Sequence, residues 1–414
     1  MKNLLFLVIL LFFGFSVFPQ SQQENVKQKK VFKPYLNIWT SAQLDIIYDI
    51  KQMDRAWIGG FRPSKIPIYS TDPGWGSNGN LYFSVRASTF KFEGVLPSSM
   101  KWGDFKLRFE FDLFAMGASA GEQEIRLRLA YGKWGPLLIG REWSTFIDLS
   151  CFPNNFEWWG PSGMALAPAN MVRFTQKINK NNKMEYALEI PSENIDPGFQ
   201  RQVDPNLLSV NPKTLLPTIV TRYTISGKWG HLKIANILRM LSYESVSPLL
   251  DTVTSHNKFG WALNITSNIH TGNSSNKWYG VFKLQTVFGH GYAGYNNDGG
   301  VELARGKGKE VVVPFQYGFS AFYDLYYKDR WGFSTGYSQT QLTNSEGQSE
   351  DAWHYGNYTV TQVTYNVFPD RLQVGLNFQY GKKELKGGDN GTDMRVLFTG
   401  RYIFNYLPKE QKKK

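Results

Sequence analysis

The sequence of 414 residues has one cysteine, Cys151. An internal disulfide and a cysteine-based metal cluster are therefore excluded. Histidine is also scarce. His231, His256, His270, His290 and His354 stand in separate segments, and none forms an H-x-x-x-H pair. The stretch "ARGKGKE" at 304–310 lacks the G-x-x-x-x-G-K-[ST] pattern and no helix follows, so it reads as a basic outer loop and not a phosphate loop. These absences argue against an enzyme, although a Ser–His pair gathered at one interface is left open. No cofactor, no metal and no nucleic-acid partner is expected.

Long apolar runs are missing too. Residues 1–20, "MKNLLFLVILLFFGFSVFPQ", read as a secretory signal, with Lys2 before an apolar stretch at 4–18. Cleavage after Ser16 or near Gln20 both fit, and no Cys follows to carry a lipid anchor. Beyond the signal no run approaches the roughly 20 apolar residues of a spanning helix. A chain of this kind can cross a bilayer only as a closed barrel, because backbone groups in lipid must pair internally.

What the sequence does have is alternation. Aromatics make up 16% of the chain while the mean hydropathy is −0.36. In "DFKLRFEFDLFAM" (104–116), Phe105, Leu107, Phe109, Phe111 and Leu113 fall on one face of an extended chain and Lys106, Arg108, Glu110 and Asp112 on the other. Sixteen strands are expected, at 36–50, 80–93, 103–115, 122–133, 136–146, 171–178, 183–191, 215–226, 231–243, 256–268, 277–289, 311–326, 331–342, 352–367, 371–384 and 393–406. The fifth and ninth alternate too weakly for their sides to be assigned. Connections alternate in length: long at 51–79, 147–170, 192–214 and 290–310, tight at 133–135, 179–182, 227–230, 328–330 and 369–371. That parity belongs to an up-and-down membrane barrel with short periplasmic turns and longer outer loops.

The expected architecture is therefore all-β. It is a transmembrane antiparallel barrel of about sixteen strands over 36–406, preceded by the signal (1–20) and a short periplasmic segment (21–35), and followed by a basic periplasmic tail (407–414). Apolar faces meet outer-membrane lipid and polar faces a wet lumen. Trp102, Tyr131, Trp134, Trp229 and Trp331 fit a periplasmic aromatic girdle.

Alternation turns slightly more basic than acidic side chains inward. Arg108, Arg126, Arg128, Arg173 and Lys177 cluster on the third, fourth and sixth strands. Such a ring favours anions; the alternative is that these groups pair with lumenal acids and only hold the wall. The connection at 147–170 is apolar and aromatic, with Phe156, Trp158, Trp159, Gly160 and Pro161 at its centre. It leaves the fifth strand as the third outer loop, the one that in porins folds inward and narrows the lumen. Asp148, Asn154, Asn155 and Glu157 would then face the channel. Packing at a subunit interface is the other use of such a surface.

The block "RLRLAYGKWGPLLIGREWSTFID" (126–148), followed by "GPSG" at 160–163, resembles the DcaP-like outer-membrane porins, and "QLDIIYDI" and "FKLRFEFDLF" are similar as well. The resemblance implies a sixteen-stranded homotrimer of a Gram-negative outer membrane that takes up small anions, notably dicarboxylates, past an inward-folded third loop. With the alternation and the inward-folded loop, the constriction is expected to be lined by Arg108, Arg126, Arg128, Arg141, Arg173, Lys177, Asp148 and Glu157. Residues 21–35 are too short for the periplasmic coiled coil that often precedes such barrels, and Arg141 stands where an uncharged polar residue is common. The function expected is an anion-leaning diffusion porin. Alternatives are a phosphate-selective porin and a non-conducting barrel that serves as an assembly or adhesion platform.

Overall fold

The computed structural model describes residues 33–408 apart from 52, 77, 116–123, 192–202, 205–206, 208–209, 248–251, 274 and 309. The signal at 1–20, nearly all of the segment at 21–35 and positions 409–414 of the basic tail lie outside the described residues.

Sixteen strands form one closed antiparallel barrel. They are β1 (Tyr35–Asp49), β2 in two pieces (Asn80–Ser84 and Thr89–Leu96), β3 (Phe105–Ala115), β4 (Glu124–Trp134), β5 (Leu137–Trp143), β6 (Pro168–Lys177), β7 (Asn182–Pro191), β8 (Thr218–Gly227), β9 (Gly230–Ser247), β10 (Thr252–Thr271), β11 (Trp278–His290), β12 (Phe315–Tyr327), β13 (Trp331–Leu342), β14 (Trp353–Phe368), β15 (Leu372–Leu385) and β16 (Asn390–Tyr406). Each pairs with the next, and β16 pairs with β1 from Ile38↔Tyr406 to Asp49↔Arg395, so no edge remains. A short extra strand, Val210–Lys213, adds to the far end of β9. No helix among the described residues is long and apolar enough to cross a membrane; the strands do that work.

Burial follows the alternation. Phe378 is 43% exposed while its neighbour Gln379 is fully buried; Phe109 is 38% exposed and Glu110 only 3%. The exposed apolar face is the outer one, as a lipid-facing belt requires, and the buried polar face lines the interior. At the end with the tight turns, aromatic rings pair: Trp102 of the β2–β3 turn with Trp134 at 4.6 Å, and across neighbouring strands Trp278–Tyr327 at 4.5 Å and Trp331–Tyr365 at 4.7 Å between centroids. Tyr131 departs from this girdle. It pairs in register with inward Arg108 and lines an internal cavity.

β9 resisted assignment because it carries apolar residues on both faces. Ala235, Ile237 and Leu241 point in, and Ile234 and Leu238 point out. In β5 the pattern breaks at Gly140, whose φ of +131° only glycine adopts freely.

Three outer connections pack against the inner wall: 50–79, 144–167 and 291–314. The third loop, 144–167, crosses to strands far from its own. Phe156 N donates to Gln362 Oε1 at 2.8 Å, Asn154 N to Asp324 Oδ2 at 3.0 Å and Gly163 N to Ser338 Oγ at 2.7 Å. The fit at Gly163 is close, since a Cβ there would sit 1.9 Å from the Gln339 carbonyl oxygen. In the first loop, Arg62 Nε meets Asp298 Oδ1 of the 291–314 loop at 3.0 Å, with its guanidinium over Trp57 and Trp159. Asn297 Nδ2 in turn donates to the Trp159 and Pro161 carbonyls. The described residues of the three loops are thus tied to one another.

Candidate functional site

The site is built on a bulge. β3 and β4 pair as Glu110↔Leu129 and then Phe111↔Leu127, which leaves Arg128 as the extra residue. A bulge re-aims side chains locally. Here Arg126, Arg128, Leu129 and Tyr131 all come to line the interior. The backbone carbonyl of Arg128 accepts from Arg141 Nε at 2.9 Å, so β5 braces the bulge with a second arginine.

Around these residues lies a cavity of about 550 Å³ between the wall of β2–β5 and β16 on one side and the third loop on the other. Lys91, Arg108, Arg126, Arg128, Arg141 and Arg401 line it, against the carboxylates of Glu110, Glu142 and Glu157. Trp143, Phe152, Trp158 and Trp159 supply aromatic surface. The arginines are held in place. Arg126 makes a two-point contact with Asp112, Nε–Oδ1 at 2.9 Å and Nη2–Oδ2 at 2.5 Å. Arg128 Nη1 meets Glu110 Oε1 at 2.6 Å, and its guanidinium lies 4.3 Å from the Trp158 ring and 5.1 Å from the Trp143 ring. Arg401 lies 4.7 Å over Phe156.

Pairing does not exhaust these donors. Arg108 Nε and Arg126 Nη1 are buried with no hydrogen-bond acceptor in the protein. A buried donor without a partner costs about 1–3 kcal/mol, which an acceptor entering the cavity would recover. Glu110 and Asp112 are already engaged by arginine. Glu157 is withdrawn into structure: it accepts from the backbone N–H groups of Phe61, Trp159 and Gly160 at 2.7–3.0 Å. Burial pushes its carboxyl above the usual range, although those three donors pull the other way. Arg108 also pairs with Glu93 and Glu110, and Lys91 with Glu110, so the wall is a salt-bridged network of both signs with Arg108 Nε and Arg126 Nη1 left without an acceptor.

The residues singled out from sequence divide into groups. Arg108, Arg126, Arg128, Arg141 and Glu157 meet at this cavity, with Trp158 and Trp159 of the loop. Phe156 packs behind it against Arg401. Gly160 and Pro161 hold the loop's inner turn, where Gly160 has φ +85° and a Cβ would strike Phe152 at 2.3 Å. Arg173 and Asp148 line a separate cavity of about 250 Å³ with Arg222 and Lys233. Glu142, Trp143 and Leu149 line both and form the partition. Lys177, the last residue of β6, is exposed beside the β6–β7 turn and lines neither cavity. Lys91 and Arg401 are site residues that the sequence does not single out; closure of the barrel, with β16 on β1 and β1 on β2, brings them to the same cavity.

Asp148 anchors the loop. Lys233 Nζ reaches its Oδ1 at 2.5 Å, and His231 Nε2 and Thr266 Oγ1 reach its Oδ2 at 2.7 and 2.9 Å. Burial works to raise its pKa, but the His231 hydrogen bond and the Lys233 ammonium outweigh that and hold the carboxyl well below its usual range.

The architecture so described is a sixteen-stranded transmembrane barrel of the outer-membrane porin type. No protein-family model and no curated protein matches the sequence. Solved structures do. The outer-membrane channel DcaP of Acinetobacter baumannii superposes with a TM-score of 0.68 at 14% identity, over 90% of this chain and 97% of that one. An anion-selective porin from Comamonas acidovorans gives 0.53 at 7% identity, over 90% and 100%. OmpF of Salmonella typhi, solved with daunomycin, gives 0.52 at 10% identity, over 90% and 98%. The fold is thus a DcaP-like porin fold.

Proposed function

We propose that the protein is a diffusion channel of a Gram-negative outer membrane, passing small hydrophilic solutes with a preference for anions that carry carboxylate or phosphate groups. The observation that supports this is the cavity at the third loop, with six cationic side chains to three carboxylates and two buried arginine donors lacking an acceptor. Arginine stays charged at any physiological pH, so the preference needs no pH switch. Phe156, Trp158 and Trp159 narrow the path, and Arg108, Arg126, Arg128 and Arg141 line it. Arg173, with Arg222 and Lys233, forms a second basic station beyond the partition, and Lys177 a charge at the periplasmic mouth. Residues 1–20 direct export, and the barrel assembles as a homotrimer, which chemical cross-linking in native membranes would report.

The test is single-channel recording in a salt gradient. In the wild type the reversal potential should show anion preference. Arg126→Ser with Arg128→Ser removes two charges. At about 8 Å and an effective dielectric of about 40, each is worth roughly 1 kcal/mol, so the preference should fall by at least about fivefold. Conduction with unchanged selectivity would return these arginines to a wall-pairing role. A second reading has its own support: three loops tied by the Arg62–Asp298 pair fill the interior, as a non-conducting barrel would require. Absence of channel steps from correctly folded protein would establish that reading instead.

A further inference from the structure

The lone cysteine is not isolated in space. Cys151 is buried at the tip of the third loop, where it meets the wall of β9 and β10. Its Sγ lies 3.4 Å from Asp148 Oδ2 and 3.1 Å from Asn268 Oδ1. His231 Nε2 lies 2.7 Å from the same Asp148 oxygen, and the thiol, imidazole and carboxylate ligand atoms all fall within 4.8 Å of one another. From this arrangement the geometry points to a divalent-metal site of the zinc class, with Asp148, Cys151 and His231 as ligands and Asn268 Oδ1 as a fourth donor.

Several features fit. Bond lengths of about 2.0 Å to oxygen and 2.3 Å to sulfur, at tetrahedral angles, put the two atoms about 3.5 Å apart. The Asp148–Cys151 spacing already matches that value. Asp148 divides its oxygens: Oδ1 takes Lys233 and Ser150, while Oδ2 faces the thiol and the imidazole. Thr266 Oγ1, at 2.9 Å from Oδ2, stands as an outer-shell donor to a ligating carboxylate. The Asn268 amide is fixed by its Nδ2 donating to the Ser150 carbonyl at 2.8 Å, which turns its oxygen toward sulfur. Two soft or borderline donors with two oxygens suit Zn²⁺ or Cd²⁺ over Mg²⁺ or Ca²⁺. Binding displaces the Cys151 thiol proton to solvent, and His231 ligates through Nε2 as the neutral imidazole that carries its ring proton on Nδ1. The Lys233 ammonium stays on Oδ1 and weakens the site without blocking it. The smaller cavity, which Asp148, Leu149 and Ser150 line, lies beside the site.

The consequence is mechanical. His231 begins β9 and Asn268 lies near the end of β10, both at the tight-turn end of the barrel. A bound ion would therefore clip residues 148–151 to the wall beside the second basic station. Metal supply would then set how firmly the third loop is seated.

The experiment uses the full barrel, reduced and purified in detergent, with Zn²⁺ as the probe. Equilibrium dialysis should give about one Zn²⁺ per chain, and affinity should drop at least about tenfold in both Cys151→Ser and His231→Gln. Zn²⁺ should also slow alkylation of the Cys151 thiol in the wild type, a readout that depends on no variant folding. No stoichiometric binding, binding unchanged in either folded variant, or alkylation indifferent to Zn²⁺ would each overturn the site and leave the cluster as a loop anchor. None of these readouts uses conductance, so the result stands apart from the channel proposal.

Discussion

The third loop faces two halves of the inner wall whose chemistry is opposite. On β7–β11 the wall presents Ala187, Val220, Ala235, Ile237, Ala262 and Val287, and Phe146, Ile147, Tyr292 and Tyr295 pack directly on them. On β2–β5 it presents Lys91, Arg108, Glu110, Arg126, Arg128 and Arg141, and there a cavity separates wall from loop. Burying alkyl and aromatic surface is favourable by about 25 cal/mol per Å². Burying guanidinium groups is costly unless every one is fully paired. The loop is therefore held by apolar packing on β7–β11, with hydrogen bonds to β12–β14, and stands off from β2–β5. Loop attachment and the larger cavity thus fall mainly on different strands, and variants on the two sides should fail in different ways.

The largest effect is expected at the polar edge of the holding half. Asp148→Asn leaves Lys233 without its carboxylate and should weaken loop seating by about 3 kcal/mol, the lower end for breaking a buried ion pair. Hydrogen exchange over 144–167 should rise while the barrel strands stay protected. The same anchor carries a pH dependence. The folded pKa of Asp148 is depressed, so its contribution is complete above the usual carboxylate value near 4 and is lost as pH falls below it toward the folded value. Wild-type loop exchange that stays flat from pH 6 to pH 3, or already rises near pH 6, would contradict this.

Ile237→Ala comes next. It removes buried atoms beneath the loop and should loosen it by about 2 kcal/mol. The double change at Arg126 and Arg128 is the counterpart on the other half: it should alter selectivity while loop exchange stays near wild type. If Ile237→Ala shifts selectivity and the arginine pair unseats the loop, the division of labour is wrong.

Much of this was legible in the sequence, and the limits have physical causes. All sixteen strands appear near their expected positions, because lipid on one side and water on the other impose a period of two that "DFKLRFEFDLF" and "RLQVGLNFQYG" display openly. The aromatic third loop was legible for the same reason: Trp158 and Trp159 gain nothing in water. The apolar patch of the inner wall was not, because an inward Ile237 breaks the rule that inward means polar, and β9 lost its sidedness with it. Nor were the first and sixth outer loops. Arg62 and Asp298 look like ordinary loop charges until the fold sets them 3.0 Å apart, 236 positions away in the chain. The arginine cluster was read from alternation alone, which assigns a face but not a height or a neighbour; hence Arg173 and Lys177 fell in with residues from which Trp143 and strand length separate them.

The smallest expected effect is also the sharpest test of the charged half. Glu110 is the hub of that wall: Arg128 Nη1 lies 2.6 Å from it, Arg108 Nη2 3.5 Å and Lys91 Nζ 3.7 Å. Glu110→Gln keeps the shape and one acceptor but removes a negative charge. Part of the change will be absorbed, because Arg128 Nε already lies 3.3 Å from Asp112 and can lean toward it. What remains is up to one extra positive charge facing the cavity, worth about 1 kcal/mol by the same Coulomb estimate as above, so anion preference should rise about two- to fivefold. The direction is opposite to that of the arginine double variant, and more salt should shrink it only partly, because the groups are half-buried. Reversal potentials in a salt gradient measure it. A shift toward cations, or none in a channel of normal conductance, would mean that the arginines follow their carboxylates as closed pairs and that the cavity has no charge to offer a passing anion.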